Sequence, residues 1–92
     1  MCYNIFMKEL EKLLKSLANK RRLNIVKYLK LHKRATVGEI ASAIKLSFRS
    51  TSRHLVTLYS AGMLDKQQAG LQVYYYLSTQ LTKDHRLIIS LV

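Results

Sequence analysis

Proline is absent from this 92-residue chain, glycine occurs three times and cysteine once. With no proline, and with Gly38, Gly62 and Gly70 far apart, nothing marks a linker, a repeat or a low-complexity tract. The chain reads as a single domain, residues 1–92, of short helices with compact connections. The lone thiol, Cys2, closes no internal disulfide and has no cation near it but Lys8, which argues against a disulfide scaffold or a reactive thiol. No apolar run approaches the ~18 residues that cross a bilayer. Met1 to Leu10 carries Lys8 and Glu9 without a small-residue cleavage site, so no signal peptide is expected. The cytoplasm is the expected location, and a membrane is not an expected partner. Three histidines and five acids are scattered with no nucleophile–base pairing and no phosphate loop, so an enzyme is not expected.

Acidic residues are scarce in another sense. Five Asp and Glu face sixteen Lys and Arg, a formal net charge of +11. Such an excess raises self-repulsion and points to an anionic partner, with nucleic acid first.

Apolar spacing predicts five helices. Phe6, Leu10, Leu13, Leu14 and Leu17 recur at three and four residue intervals, giving a first helix over Asn4–Ala18. A second spans about Lys20–Lys33, with Asn19 as N-cap and Leu23, Val26 and Leu29 as its stripe. Lys20, Arg21 and Arg22 crowd its first turn, the unfavourable end of the helix dipole, at a few tenths of a kcal/mol each. Val37, Ile40, Ala41 and Ile44 define a third helix. Thr36 and Glu39 stand at capping-box spacing before it. After the turn Lys45–Leu46, Ser47 caps a fourth helix that runs to about Ala61, and Gly62 suits its stop. The period then changes from helical to alternating. Leu64–Gln68 and Gln72–Leu77 read as two strands around a turn at Ala69, Gly70 and Leu71. Thr82–Val92 fits a last short helix.

This order is a helix-turn-helix followed by a two-stranded wing: a mainly α winged helix-turn-helix. On the fourth helix Thr51, Leu55 and Leu58 share one face, while Arg49, Arg53, Val56 and Ser60 point away from it. No acid lies between Lys45 and Met63. Arg49 and Arg53 stand one turn apart, at a spacing that suits guanine edges or phosphates. Ser47, Ser50, Ser52 and Thr57 are short hydroxyl donors for close backbone approach. Lys45, Phe48, Lys66 and Gln68 complete the expected DNA-binding set. The wing tip, Gln67 to Gln72, is uncharged and adds little counterion release. His54, at the edge of the core-facing side, reads as structural or phosphate-contacting. Tyr74 to Tyr76 read as an alternating strand with Tyr75 inward.

Four segments in order carry a family resemblance. They are Leu17-Ala18-Asn19-Lys20-Arg21-Arg22-Leu23, Glu39-Ile40-Ala41, Ser47 to Leu58 with Ser52-Arg53-His54-Leu55 inside it, and Gly62-Met63-Leu64 followed by Val73 to Leu77. Together they resemble winged-helix repressors of the ArsR/SmtB type. The resemblance implies a dimer built from the first and last helices on a pseudo-palindromic operator. The terminal segments 1–18 and 81–92 are therefore the expected dimerisation helices. Phe6, Leu10, Leu13 and Leu14, with Leu87, Ile88, Ile89 and Leu91, also offer more apolar surface than one winged helix buries.

The chain departs from the family at the metal sites. Where many members place metal-sensing cysteines, it has Thr36 and Gly38. Asp84 and His85 are adjacent and point about 100° apart on a helix, a poor chelate. No metal and no cofactor are expected. The leading expectation is a sequence-specific double-stranded DNA-binding regulator, a homodimer and a repressor. The alternative is a winged-helix protein-interaction module, for which only Val56 on the fourth helix speaks.

Overall fold

A computed structural model describes residues 2–92, with side chains described for Ile5 and from Met7 onward. Among the described residues the order is α1 (Cys2–Leu17), α2 (Lys20–Leu31), β1 (Ala35–Thr36), α3 (Val37–Ile44), α4 (Phe48–Ser60), β2 (Leu64–Ala69), β3 (Gln72–Leu77) and α5 (Lys83–Ser90). The fold is a winged helix-turn-helix.

Helices α2, α3 and α4 each start where a short polar side chain accepts the first free amides. Asn19 Oδ1 accepts from Arg21 and Arg22 amides at 2.9 and 3.3 Å. Thr36 Oγ1 accepts from the Glu39 amide at 3.2 Å, and Glu39 Oε1 accepts from the Thr36 amide at 2.9 Å, a complete capping box. Hydrogen bonding to the carboxylate, from the Thr36 amide first and then the Thr36 hydroxyl, holds the Glu39 carboxyl below the usual range. Ser47 Oγ accepts from the Ser50 amide at 3.1 Å. The turn between α3 and α4 is tight because Lys45 adopts a left-handed conformation at φ 57°. The Leu46 amide then bonds back to the Ala41 carbonyl at 3.0 Å.

The expected two-stranded wing is a three-stranded antiparallel sheet of order β1-β3-β2. Ala35 pairs with Tyr75 and Thr36 with Tyr74. The segment Arg34 to Thr36, between the second and third predicted helices, therefore contains a strand. Two residues carry no readable period, so only the partner strand reveals it. At the tip Ala69 pairs with Gln72, leaving Gly70 and Leu71 as the turn. Positive φ at Gly70 and not at Leu71 fits a type II′ hairpin, which has glycine at its first central position.

The core joins all layers. Leu13 and Leu17 of α1, Ile25, Val26 and Leu29 of α2, Ile40 of α3, Leu55 and Leu58 of α4, Met63 and Leu64, Tyr75 and Ile89 of α5 form one buried cluster. Helix α2 also ties down both terminal helices through their last carbonyls. Arg22 Nη1 donates to Lys15 and Ser16 oxygens of α1 at 3.4 and 3.3 Å. Lys30 Nζ donates to Ile89 and Val92 oxygens at 3.1 and 3.4 Å. Cations at helix C-termini satisfy orphan carbonyls and complement the dipole.

Candidate nucleic-acid interface

Packing decides which side of α4 faces outward. Thr51, Leu55 and Leu58 are fully buried, so Arg49, Arg53 and Val56 are presented to solvent. The two guanidinium groups thus stand on a helix face with no carboxylate between Lys45 and Met63. Lys45 is exposed on the left-handed turn just before α4. Lys66 reaches from β2 to place its ammonium 4.7 Å from the centre of the Tyr59 ring, which holds this cation against the outer side of α4. Phe48, the first residue of α4, is 63% exposed. It lines an open cleft of about 310 Å³ with Val37, Gly38, Lys66, Leu71 and Val73.

The hydroxyl donors are less free than the sequence suggests. Ser50, Ser52 and Thr57 are half-buried, and Thr57 Oγ1 donates to the Arg53 carbonyl at 3.2 Å. Ser47 is exposed, but its oxygen serves as the cap. Gln68 Nε2 donates to the Gly70 carbonyl at 3.3 Å, which stiffens the wing tip from within. Thr51 Oγ1 is buried with no hydrogen-bond partner among the described residues.

One contact was not legible in the sequence. Arg22 Nε donates to His54 Nδ1 at 3.2 Å, so one side chain of α2 joins the end of α1 to the flank of α4. Burial first, then the charges of Arg22 and Arg21, pushes the His54 imidazole below its usual pKa. The neutral ring with Nδ1 as acceptor is the form this geometry requires. His54 also borders an open cleft with Asn19, Lys20, Arg21, Asn24 and Ile44, where two more cations stand beside α4. No motif marks the pair: its members are separated by 32 residues.

The terminal helices show a second exposed surface. Ile5, Met7 and Leu14 of α1 and Leu87 and Leu91 near α5 are exposed, while Leu10 and Ile88 are half-buried. An apolar cleft of about 370 Å³ lies between the two helices, lined by Ile5, Leu10 and Leu13 with Thr82 and His85. Two residues expected on this outer surface belong elsewhere. Leu13, 1% exposed, and Ile89 sit in the protomer's own core, because the stripe of each helix is wider than one interface needs. Phe6 lies outside the described side chains. His85 hydrogen-bonds the hydroxyl of Thr82, the N-cap of α5, and Thr36 serves the capping box of α3. Among the described residues no helix is long and apolar enough to cross a membrane.

This geometry meets independent comparison at residues 19–66, which match the model described as bacterial regulatory protein, arsR family. The chain belongs to the arsR family of bacterial regulatory proteins. This family member is 38% identical over 71 residues to the transcriptional activator HlyU of Vibrio cholerae, an alignment covering 77% of this chain and 65% of that relative. The chain thus spans just under two thirds of that curated relative's length. Reduced HlyU from Vibrio cholerae superposes with a TM-score of 0.81 at 31% identity, over 97% of this chain and 90% of that one. The transcriptional repressor PagR of Bacillus anthracis gives a TM-score of 0.81 at 30% identity, over 96% and 97%. The homodimeric winged helix-turn-helix DNA-binding domain Mb0332 of Mycobacterium bovis gives 0.83 at 26% identity, over 96% and 78%. HlyU is described as a transcriptional activator, PagR as a transcriptional repressor and Mb0332 as a possible transcriptional regulator.

Proposed function

We propose that this arsR-family chain is a homodimeric transcriptional regulator that binds double-stranded DNA in a sequence-specific way, with α4 in the major groove and the β2–β3 wing beside it. The outer face of α4 carries the reading: Arg49 and Arg53 are exposed opposite a fully buried Thr51–Leu55–Leu58 face, in a stretch free of acids. A guanidinium fork suits guanine O6 and N7, and the helix N-terminus is the part that approaches bases most closely. Arg49 therefore reads bases and Arg53 clamps the backbone. Lys45, Lys66 and the α2 cations Lys20 and Arg21 supply counterion release around them.

The exposed leucines of α1 and α5 favour pairing of two copies through the terminal helices. A two-fold dimer then meets two half-sites of a pseudo-palindrome. Repression is the first reading of the regulatory sign, since a compact dimer blocks access to the DNA it covers by occupancy alone. The relatives include a protein described as an activator and one described as a repressor. Sequencing the duplexes that the purified protein selects from a random pool tests the reading. A two-fold symmetric consensus is expected, and an unenriched pool would sink it. In that case the exposed Phe48 and Val56 would favour a protein-interaction surface instead.

A further inference from the structure

Phe48 is one of three exposed apolar side chains on α4, with Val56 and Tyr59, that a purely phosphate-binding face leaves unexplained. It is the first helical residue of α4, and it is 63% exposed. Lys45 and Arg49 are its neighbours along the chain, and Lys66 lines the cleft that Phe48 borders with Val37, Leu71 and Val73. On the proposed reading, this exposed apolar side chain in the first turn of α4 meets the same anionic partner as Lys45 and Arg49. On the major-groove edge of duplex DNA, the one apolar feature is the 5-methyl group of thymine. The first turn of a recognition helix is also where base edges come closest.

We propose that Phe48 is a specificity-determining residue that packs against a thymine methyl group, adding a T·A preference beside the base read by Arg49. The inference rests on α4 being the reading helix. It assigns to Phe48 a contact that arginine and serine side chains do not make, namely burial of apolar surface on both partners. The Ser47 cap fixes the start of α4 and with it the backbone position of Phe48. One buried methyl corresponds to about a fourfold change in affinity.

The test uses the duplex selected by the full chain from a random pool. Each thymine is replaced in turn by uracil, which lacks only the methyl, and dissociation constants are measured at fixed salt. Wild-type protein is expected to lose about fourfold at one thymine in each half-site. Phe48→Ala should bind the thymine and uracil duplexes alike, and Phe48→Leu should keep part of the discrimination. Equal binding of wild type to every uracil duplex, or full discrimination retained by Phe48→Ala, overturns the proposal. Arg49→Ala on the same duplex separates the two levels. If Arg49→Ala weakens binding while uracil has no effect, α4 still reads DNA and only the Phe48 contact is wrong. If Arg49→Ala binds as wild type, the reading of α4 itself fails. Circular dichroism establishes that each variant is folded.

Discussion

The outer face of α4 and the outer faces of α1 and α5 leave different chemistry in water. On α4 the exposed positions are led by Arg49 and Arg53, with Phe48 and Val56 beside them. On the terminal helices they include Ile5, Met7, Leu14, Leu87 and Leu91. A charged face meets an anion and is sensitive to salt, whereas an apolar face meets another apolar surface and is not. On the proposed reading, one chain carries two interfaces with separable physics, and each can be broken without the other.

The largest effect is expected at the terminal face. Leu14→Glu combined with Leu87→Glu should turn the dimer into a monomer, read by sedimentation velocity. It should also weaken operator binding by about a hundredfold or more, because the second half-site loses its tethered partner. A double variant that sediments as wild type would place the dimer contact elsewhere. Next comes the α4 face. Arg49→Ala is expected to lose about 1–3 kcal/mol on the selected duplex and relax its sequence preference. Arg53→Ala should weaken cognate and scrambled duplexes alike and lower the salt slope by about one. Neither should change the sedimenting mass, and a salt-titrated binding series separates the two roles.

A third effect concerns neither face but the ground between them. The Thr51 hydroxyl is buried without a partner among the described residues, a desolvation penalty with no return. Thr51→Val keeps the shape and should raise stability by about 1 kcal/mol in urea unfolding. A drop would mean that a partner such as a water satisfies the hydroxyl. The smallest effect belongs to His54. Its pKa is lowered in the fold, so the stability it contributes is fully present above the ordinary imidazole range near roughly pH 6.5. That stability is lost as pH falls through the folded value, when a second cation forms beside Arg22. His54→Gln, which cannot take up that proton, should flatten the stability profile on the acid side. A wild-type profile with no acid-side decline would contradict this.

The two regions also differ in how far the sequence revealed them. Around α3 and α4, strong local signals coincide: the Thr36–Glu39 box, the Ser47 cap and a three-residue buried stripe on α4. There the predicted helices agree with the structure to within a residue or so. On α1 and α5 the apolar stripes were legible, but not which leucines turn inward. Leu13 and Ile89 pack in the core while Leu14 and Leu91 stay outside, a choice made by neighbours far along the chain. Strand β1 and the Arg22–His54 bond depend on such neighbours entirely. Neither a two-residue strand nor a hydrogen bond across 32 residues leaves a local pattern.

Thr36 is both the last residue of β1 and the cap of α3. Its strand pairs with Tyr74 and Tyr75 on β3, so the sheet that carries the wing grows directly into the helix-turn-helix. The base of the wing is thereby hydrogen-bonded to the strand that leads into α3. On the proposed reading, the two parts meet the duplex as a caliper with a fixed opening. A caliper does not adapt to the object it measures, so the DNA has to flex to fit. That bending is cheapest at soft pyrimidine–purine steps and dearest in stiff A-tracts. Base pairs between the reading helix and the wing, touched by neither, should therefore influence occupancy through their mechanical softness alone.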